Sequence, residues 1–191
     1  MENFKILRFF NLNKIDYFDH PFNTTIKNER QIEIPVALRF IESKHPNKII
    51  EIGSVLHHYF DLNHVSIDPT DKHATLNDYA ENINFKNKSV LSISTLEHIG
   101  RGDYGLPKNK TLSSSVLNKI YNDSSSCLIS WPIGFNIYLD EYVKENSFDY
   151  VFHRRKTDTE WELSFDENNF NASYNKPYHA GNSVIWIYKN L

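Results

Sequence analysis

Residues 48–68, KIIEIGSVLHHYFDLNHVSID, constrain the fold more than any other stretch of the chain. Residues 48–52 make an apolar run of strand length with Glu51 inside it, and Gly53 opens a turn. Residues 64–67 make a second short strand that ends on Asp68 and Pro69. An acid at the end of each strand, with a glycine turn after the first, suits a pocket that hydrogen-bonds a nucleoside ribose at the carboxyl edge of a parallel sheet. A third apolar run, 89–94, breaks into Thr95-Leu96-Glu97-His98-Ile99-Gly100 and so carries polar groups to the same edge.

The rest of the chain fits helices and strands around that unit. Residues 1–28 have helix-like apolar spacing (Phe4, Leu7, Leu12, Ile15) before His20-Pro21 and are expected to form a helical arm, leaving 29–191 as one domain. Residues 27–43 should hold a helix with Ile34, Leu38 and Ile41 inward and Pro35 near its first turn, where the missing N–H does no harm. The polar stretch 70–88 allows a short helix, or a short strand at 83–85. Residues 112–121 read as a helix, 127–131 as a strand stopped by Pro132, and 136–145 as a turn or short helix. Runs at 148–152, 161–165 and 184–188 look like strands without long helices between them. The expected class is therefore α/β, with a mostly parallel central sheet, helices on both faces and an antiparallel C-terminal end.

Several function classes fall away. A formal net charge of −3, with one dense basic cluster at Arg154-Arg155-Lys156, gives no footprint for nucleic acid. No apolar run approaches the roughly 20 residues that span a bilayer, and the start lacks the pattern of a signal peptide. A single cysteine, Cys127, rules out an internal disulfide and fits a reducing compartment. These points lead to the expectation of a soluble cytoplasmic protein, with an oligomer allowed. His57-His58 invites a metal reading, but adjacent histidines on an extended segment diverge and no Asp/Glu/Cys set has a recognised ligand spacing, so no metal is expected.

The phrases EIGSVLHHYF, SIDPTD and SVLSISTLEHIG, in this order, resemble the nucleoside-binding half of a class I S-adenosylmethionine-dependent methyltransferase. More narrowly, with the later turn Trp131-Pro132-Ile133-Gly134, the chain is similar to small methyltransferase-like proteins often encoded with bacterial surface-polysaccharide enzymes. The resemblance covers roughly residues 29–191. It implies a Rossmann-like methyltransferase fold that binds S-adenosyl-L-methionine and transfers its methyl group to a hydroxyl of a small molecule or glycan, as in capsule or lipopolysaccharide biosynthesis. It also implies roles. Glu51 and Gly53 would form the turn against the methionine part of the cofactor, Asp68 would accept from the ribose hydroxyls, and Asp78 with Tyr79 would flank the adenine. Ser94, Thr95, Glu97 and His98 would line the floor between cofactor and acceptor. The chain departs from the common pattern after Gly53, where Ser54, Val55 and Leu56 stand in place of further glycines.

His98 is the candidate base, because a sugar hydroxyl is a poor nucleophile near neutrality and an imidazole titrates there. Equally, His98 could fix its loop through a backbone carbonyl, Glu97 could be a solvated or capping acid, and Asp68 could cap the next segment. Glu51, between isoleucines, needs partners whichever role it has. Tyr104, Asn136, Asp140, Tyr178 and Asn182 are the groups expected nearest an acceptor sugar, with Arg154 available to an anionic one. Two other functions remain open. One is a non-catalytic relative that binds or assembles without cofactor. The other, a nucleotide oxidoreductase, is weakened by the lack of G-x-G-x-x-G after the first strand.

Overall fold

The computed structural model describes residues 15–191. Seven strands form a single sheet: β1 (Ile49–Ile52), β2 (Val65–Ile67), β3 (Ser89–Ile93), β4 (Ser126–Pro132), β5 (Tyr150–Arg155), β6 (Trp161–Ser164) and β7 (Ser183–Lys189). Their order across the sheet is β2-β1-β3-β4-β7-β5-β6. The first four are mutually parallel. The last strand, β7, runs antiparallel between β4 and β5, and β6 pairs antiparallel with the far side of β5.

Among the described residues three α-helices cover the two faces: α1 (Arg30–Glu42), α2 (Leu112–Asp123) and α3 (Ile137–Glu145). Because side chains alternate along a strand, each central strand feeds both layers. Ile50, Ile52, Val90, Ile129, Ile185 and Ile187 pack toward α2 and α3 with Val116, Leu117, Ile120, Leu139 and Val143. Leu91, Ile93, Leu128, Val184 and Trp186 pack toward α1 with Ile32, Val36, Ala37 and Phe40. Burial on both faces explains why these strands read as continuous apolar runs.

The expected helix at 27–43 forms, but it begins at Arg30, so Pro35 lies in its second turn and not its first. Proline has no N–H to give to the carbonyl four residues back, that of Gln31. The Phe18 N–H takes that carbonyl instead, at 2.8 Å. Most of the arm expected over 1–28 lies outside the described residues. Its described part is irregular until the 3₁₀ turns of Phe22–Lys27, and Ile15 and Phe18 pack against the α1-side core. Of the two options for 70–88, the strand at 83–85 does not form; the polar stretch holds a short 3₁₀ helix at Ala80–Asn82 and an isolated bridge between Ile67 and Leu76. Among the described residues no helix is long and apolar enough to cross a membrane.

The turn after β1 is fixed by close contact. Gly53 has φ +82°, and a Cβ on it would sit 2.2 Å from Thr95 Oγ1. A side chain there is excluded twice, by backbone conformation and by space. Gly105 has a similar φ of +76°, but nothing lies within 4 Å of its Cβ position. Gly53→Ala should therefore lower stability by about 2–4 kcal/mol and Gly105→Ala by about 1 kcal/mol, with Thr95→Ala partly restoring the first. Urea unfolding of the single and double variants checks this, and equal losses for the two glycines would contradict it.

Candidate functional site

The carboxyl ends of β1, β2 and β3 open into a cleft of three connected lobes. One, of about 360 Å³, has apolar walls from Ile52, Ile67, Ile99 and Leu112, with Gly53, Asp68 and Tyr79 at its rim. A second of about 360 Å³ runs over Gly53 and Ser54 toward Arg30, His58 and Tyr59. The third, about 480 Å³, is bordered by Lys27, Glu29, Arg30, Glu97, Phe135 and Tyr174. His98 and Tyr104 border all three lobes, so they stand at the junction.

Asp68 sits at the end of β2, as its place in the sequence implies. Its Oδ1 accepts from the Thr70 N–H at 2.8 Å, the Thr70 hydroxyl at 3.0 Å and the Asp71 N–H at 2.9 Å. That turn fixes the carboxylate at the lip of two lobes, and the described residues bring no donor to Oδ2. Thr95 faces the same lobes, and its hydroxyl donates to the Ile93 carbonyl at 3.1 Å.

Ser94 takes a left-handed conformation, φ +37°. Its hydroxyl donates to both carboxylate oxygens of Glu33, at 2.9 and 2.8 Å. Ser130 donates to the same carboxylate at 2.7 Å, and Arg30 Nη1 at 2.7 Å. Burial raises the Glu33 pKa, and the Arg30 charge opposes that rise. Arg30 also donates to the main-chain carbonyls of Ile93 at 3.2 Å and Ser94 at 3.3 Å. The start of α1 is thus bolted to the end of β3, with one guanidinium edge along the cleft.

Glu97 is buried to 1% exposure and borders the third lobe, and its Oε2 has no hydrogen-bond partner. Burial first, and then the neighbouring charge of Glu33, hold its carboxyl well above the usual range. Both effects favour the protonated acid, which can donate a hydrogen bond. His98 Nδ1 lies 2.8 Å from Asp103 Oδ2, while Nε2 is 3.8 Å from Glu97 Oε1. The ring packs against Phe135 and Tyr104. Burial lowers the His98 pKa, against the pull of Asp103. Donation from Nδ1 to Asp103 leaves the Nε2 lone pair free.

The structure does not bring every candidate to this cleft. Glu51 is the main correction. Ile52 faces the cleft, so Glu51, one residue earlier on the strand, points to the opposite face. There its Oε1 accepts from the Leu56 N–H at 2.9 Å, and its Oε2 lies 2.7 Å from His64 Nε2. Asp78 is exposed, and its Oδ1 accepts from the Tyr79 N–H and from Asn82 Nδ2, both at 2.7 Å; only its neighbour Tyr79 reaches the apolar lobe.

Asn136 caps α3 and donates to the Glu97 carbonyl at 2.9 Å, so it supports the floor from behind. Asp140 accepts from Trp131 Nε1 and the Gly134 N–H, both at 2.8 Å, and burial pushes its pKa up to about 6. It braces the 131–134 turn. Arg154, Tyr178 and Asn182 border a separate hollow of about 620 Å³ beyond β7. Asn182 is occupied there by the Ser173 and Lys176 carbonyls, at 2.7 and 2.8 Å. Tyr104 does reach the cleft, 71% exposed.

Sequence reasoning missed Glu29, Arg30 and Glu33. The available signal was Glu33 between Ile32 and Ile34 on an expected helix, with Arg30 three residues earlier, a spacing at which an acid and a base can pair. A scan against protein-family models, a search of curated proteins and a search of solved structures each return no match for this chain.

Replacing the Glu97 acid by an amide tests its protonation. A carboxyl whose folded pKa is raised contributes stability that is full below its unfolded pKa, near 4.3, and is lost as pH rises through the folded value. Glu97→Gln cannot ionise. It should therefore gain on the wild type as pH rises from 5 toward 9, at up to about 1.4 kcal/mol per pH unit for as long as folded Glu97 stays protonated while the unfolded chain's carboxyl is ionised. Urea midpoints across that range read it, and a constant gap would show that Glu97 is already ionised at pH 5.

Proposed function

We propose that this chain is an S-adenosylmethionine-dependent methyltransferase with a Rossmann-like fold, acting on a hydroxyl of a small molecule or glycan. The observation that carries the reading is the three-lobed cleft at the carboxyl ends of β1, β2 and β3, with Asp68 at its lip and His98 at its centre. Ligands of open α/β sheets bind at that edge. The parallel run β2-β1-β3-β4 followed by an antiparallel β7 agrees with the antiparallel end that the family resemblance implies. A cytoplasmic location belongs to the same proposal.

The residues present fit the cofactor. The apolar lobe offers isoleucine and leucine walls to an adenine, and Asp68 Oδ2 offers an acceptor to two ribose hydroxyls. The side-chain-free turn at Gly53 opens the way to the second lobe, where a charged amino-acid tail would meet Arg30, Ser94 and Thr95. When bound, S-adenosylmethionine supplies an electrophilic methyl carbon. The chain's own part is alignment and proton removal. His98, held by Asp103 in the tautomer with Nε2 free, would take the proton of an acceptor hydroxyl in the third lobe. Glu97, in the protonated form that its burial favours, would donate to a neighbouring oxygen of that acceptor. Phe135 and Tyr174 give a sugar ring apolar surface, and Lys27 and Glu29 give its hydroxyls polar partners.

One observation favours a second reading, a non-catalytic binding or assembly subunit. Glu51, the acid of the first turn, is engaged on the far face of the sheet, and a single glycine serves the turn. Calorimetric titration with S-adenosylhomocysteine, S-adenosylmethionine and NAD separates the possibilities. Binding of the first two alone is expected; no binding favours the second reading, and NAD binding overturns both.

Asp68→Ala should weaken S-adenosylhomocysteine binding roughly 10- to 100-fold through loss of charge-assisted hydrogen bonds. His98→Ala should keep that affinity while turnover of an identified acceptor falls by about 10²–10⁴-fold. Because burial lowers the His98 pKa, wild-type activity should persist as pH falls below about 6.5, the ordinary imidazole value. Full activity in His98→Ala would remove it as the base.

A further inference from the structure

We propose that Glu51, His57 and His64 form a binding site for one divalent transition-metal ion, with zinc the best match. The site lies on the α1 face of β1, behind the cleft, and none of its three residues borders a lobe. Glu51 comes from β1, His64 immediately precedes the neighbouring strand β2, and His57 lies in the 3₁₀ turn Leu56–His58 between them.

Their donor atoms converge. Glu51 Oε2 lies 2.7 Å from His64 Nε2 and 3.5 Å from His57 Nδ1, and all three atoms fall within 4.8 Å of one another. Ligands at 2.0–2.1 Å from a tetrahedral ion sit roughly 3.3 Å apart, so the set needs only a small opening to accept one. Glu51 and His64 are buried, and His57 keeps one edge toward solvent as an entry path.

The protons of this cluster are what a cation would resolve. His64 Nε2 lies within hydrogen-bond reach of Glu51 Oε2, and His57 Nδ1 faces the same oxygen at 3.5 Å; among the described residues His57 Nδ1 and His64 Nδ1 are both buried without a hydrogen-bond partner. A positive charge between His57 Nδ1 and that carboxylate, either a ring proton or a bound cation, is what the contact calls for. The Leu56 N–H on Glu51 Oε1 is an outer hydrogen bond of the kind that orients a metal-binding carboxylate. Two imidazoles and a carboxylate without thiolate match zinc and its neighbours better than calcium or magnesium, which favour oxygen sets. A water would fill the fourth position. The ion would fasten the 54–64 connection to β1 directly beneath Gly53, a structural role in which no bond of a substrate is made or broken.

The test uses the full chain without a histidine tag. Protein from zinc-supplemented culture is assayed for metal, then stripped with chelator and titrated with zinc chloride in a calorimeter. About one equivalent should bind, His57→Ala and His64→Ala should abolish saturable binding, and His45→Ala, an exposed histidine elsewhere, should leave it intact. Absence of zinc from the isolated protein together with no saturable heat overturns the proposal, as does binding unchanged in both histidine variants. Should a variant fail to fold, cobalt bound to the stripped wild type decides: intense visible bands of a tetrahedral nitrogen-oxygen site support it, and the weak absorption of octahedral cobalt overturns it.

Discussion

The buried carboxylate of Glu33 is the interaction on which the cleft depends. It gathers donors from Arg30, Ser94 and Ser130, that is, from α1 and from the ends of β3 and β4. A buried ion pair contributes little when compared with a well-packed apolar substitute, but removing one partner costs about 3–5 kcal/mol because the other is stranded. Its value here is positional. The same guanidinium that neutralises Glu33 holds the Ile93 and Ser94 carbonyls, so the left-handed backbone at Ser94 and the chain leading to His98 inherit their placement from α1. Burial first, and then the Glu33 charge, push the Glu97 pKa up, which links a structural clamp to the third lobe.

Around this clamp the cleft rim concentrates unusual backbone. Gly53, Ser94, Gly100, Gly102, Tyr104 and Gly105 all have positive φ. Regular strands deliver their ends to the edge, and the tight turns then redirect the chain so that Asp68, Thr95 and His98 meet. Strain of this kind persists only where surrounding contacts over-determine it. The Gly53–Thr95 approach is one such contact, and the bond between Asn109 N–H and the Gly100 carbonyl, 2.8 Å, is another.

The sheet was legible because each central strand is apolar on both faces and bounded by polar turns; runs at 48–52, 89–94, 127–131 and 184–188 sit within a residue or two of β1, β3, β4 and β7. Asp68, Thr95 and His98 were legible as strand-end polar residues. Glu51 could have been placed by alternation alone, since Ile52 had to face the core beside the cleft. The rest depended on contacts between distant residues. Glu33 meets Ser130 across 97 positions and Asn136 reaches Glu97 across 39, and no local pattern encodes such distances. Asp140 in the first turn of α3, and Asn182 and Tyr178 in the C-terminal loop, looked available because polar side chains carry no mark of the groups they will satisfy.

Pro35 illustrates how a local defect becomes a long-range connection. A proline in the second turn of α1 leaves the Gln31 carbonyl unclaimed, and the chain ahead of the helix fills that vacancy through Phe18, whose ring meets Tyr59 and Phe60. The lead-in segment is thereby stitched to α1 by main chain and to the segment beyond Gly53 by aromatic edges. An ordinary helix-forming residue at 35 would restore a donor that competes with Phe18 for the Gln31 carbonyl, so the imperfection in the helix is the seam that joins the irregular lead-in segment to the wall of the cleft.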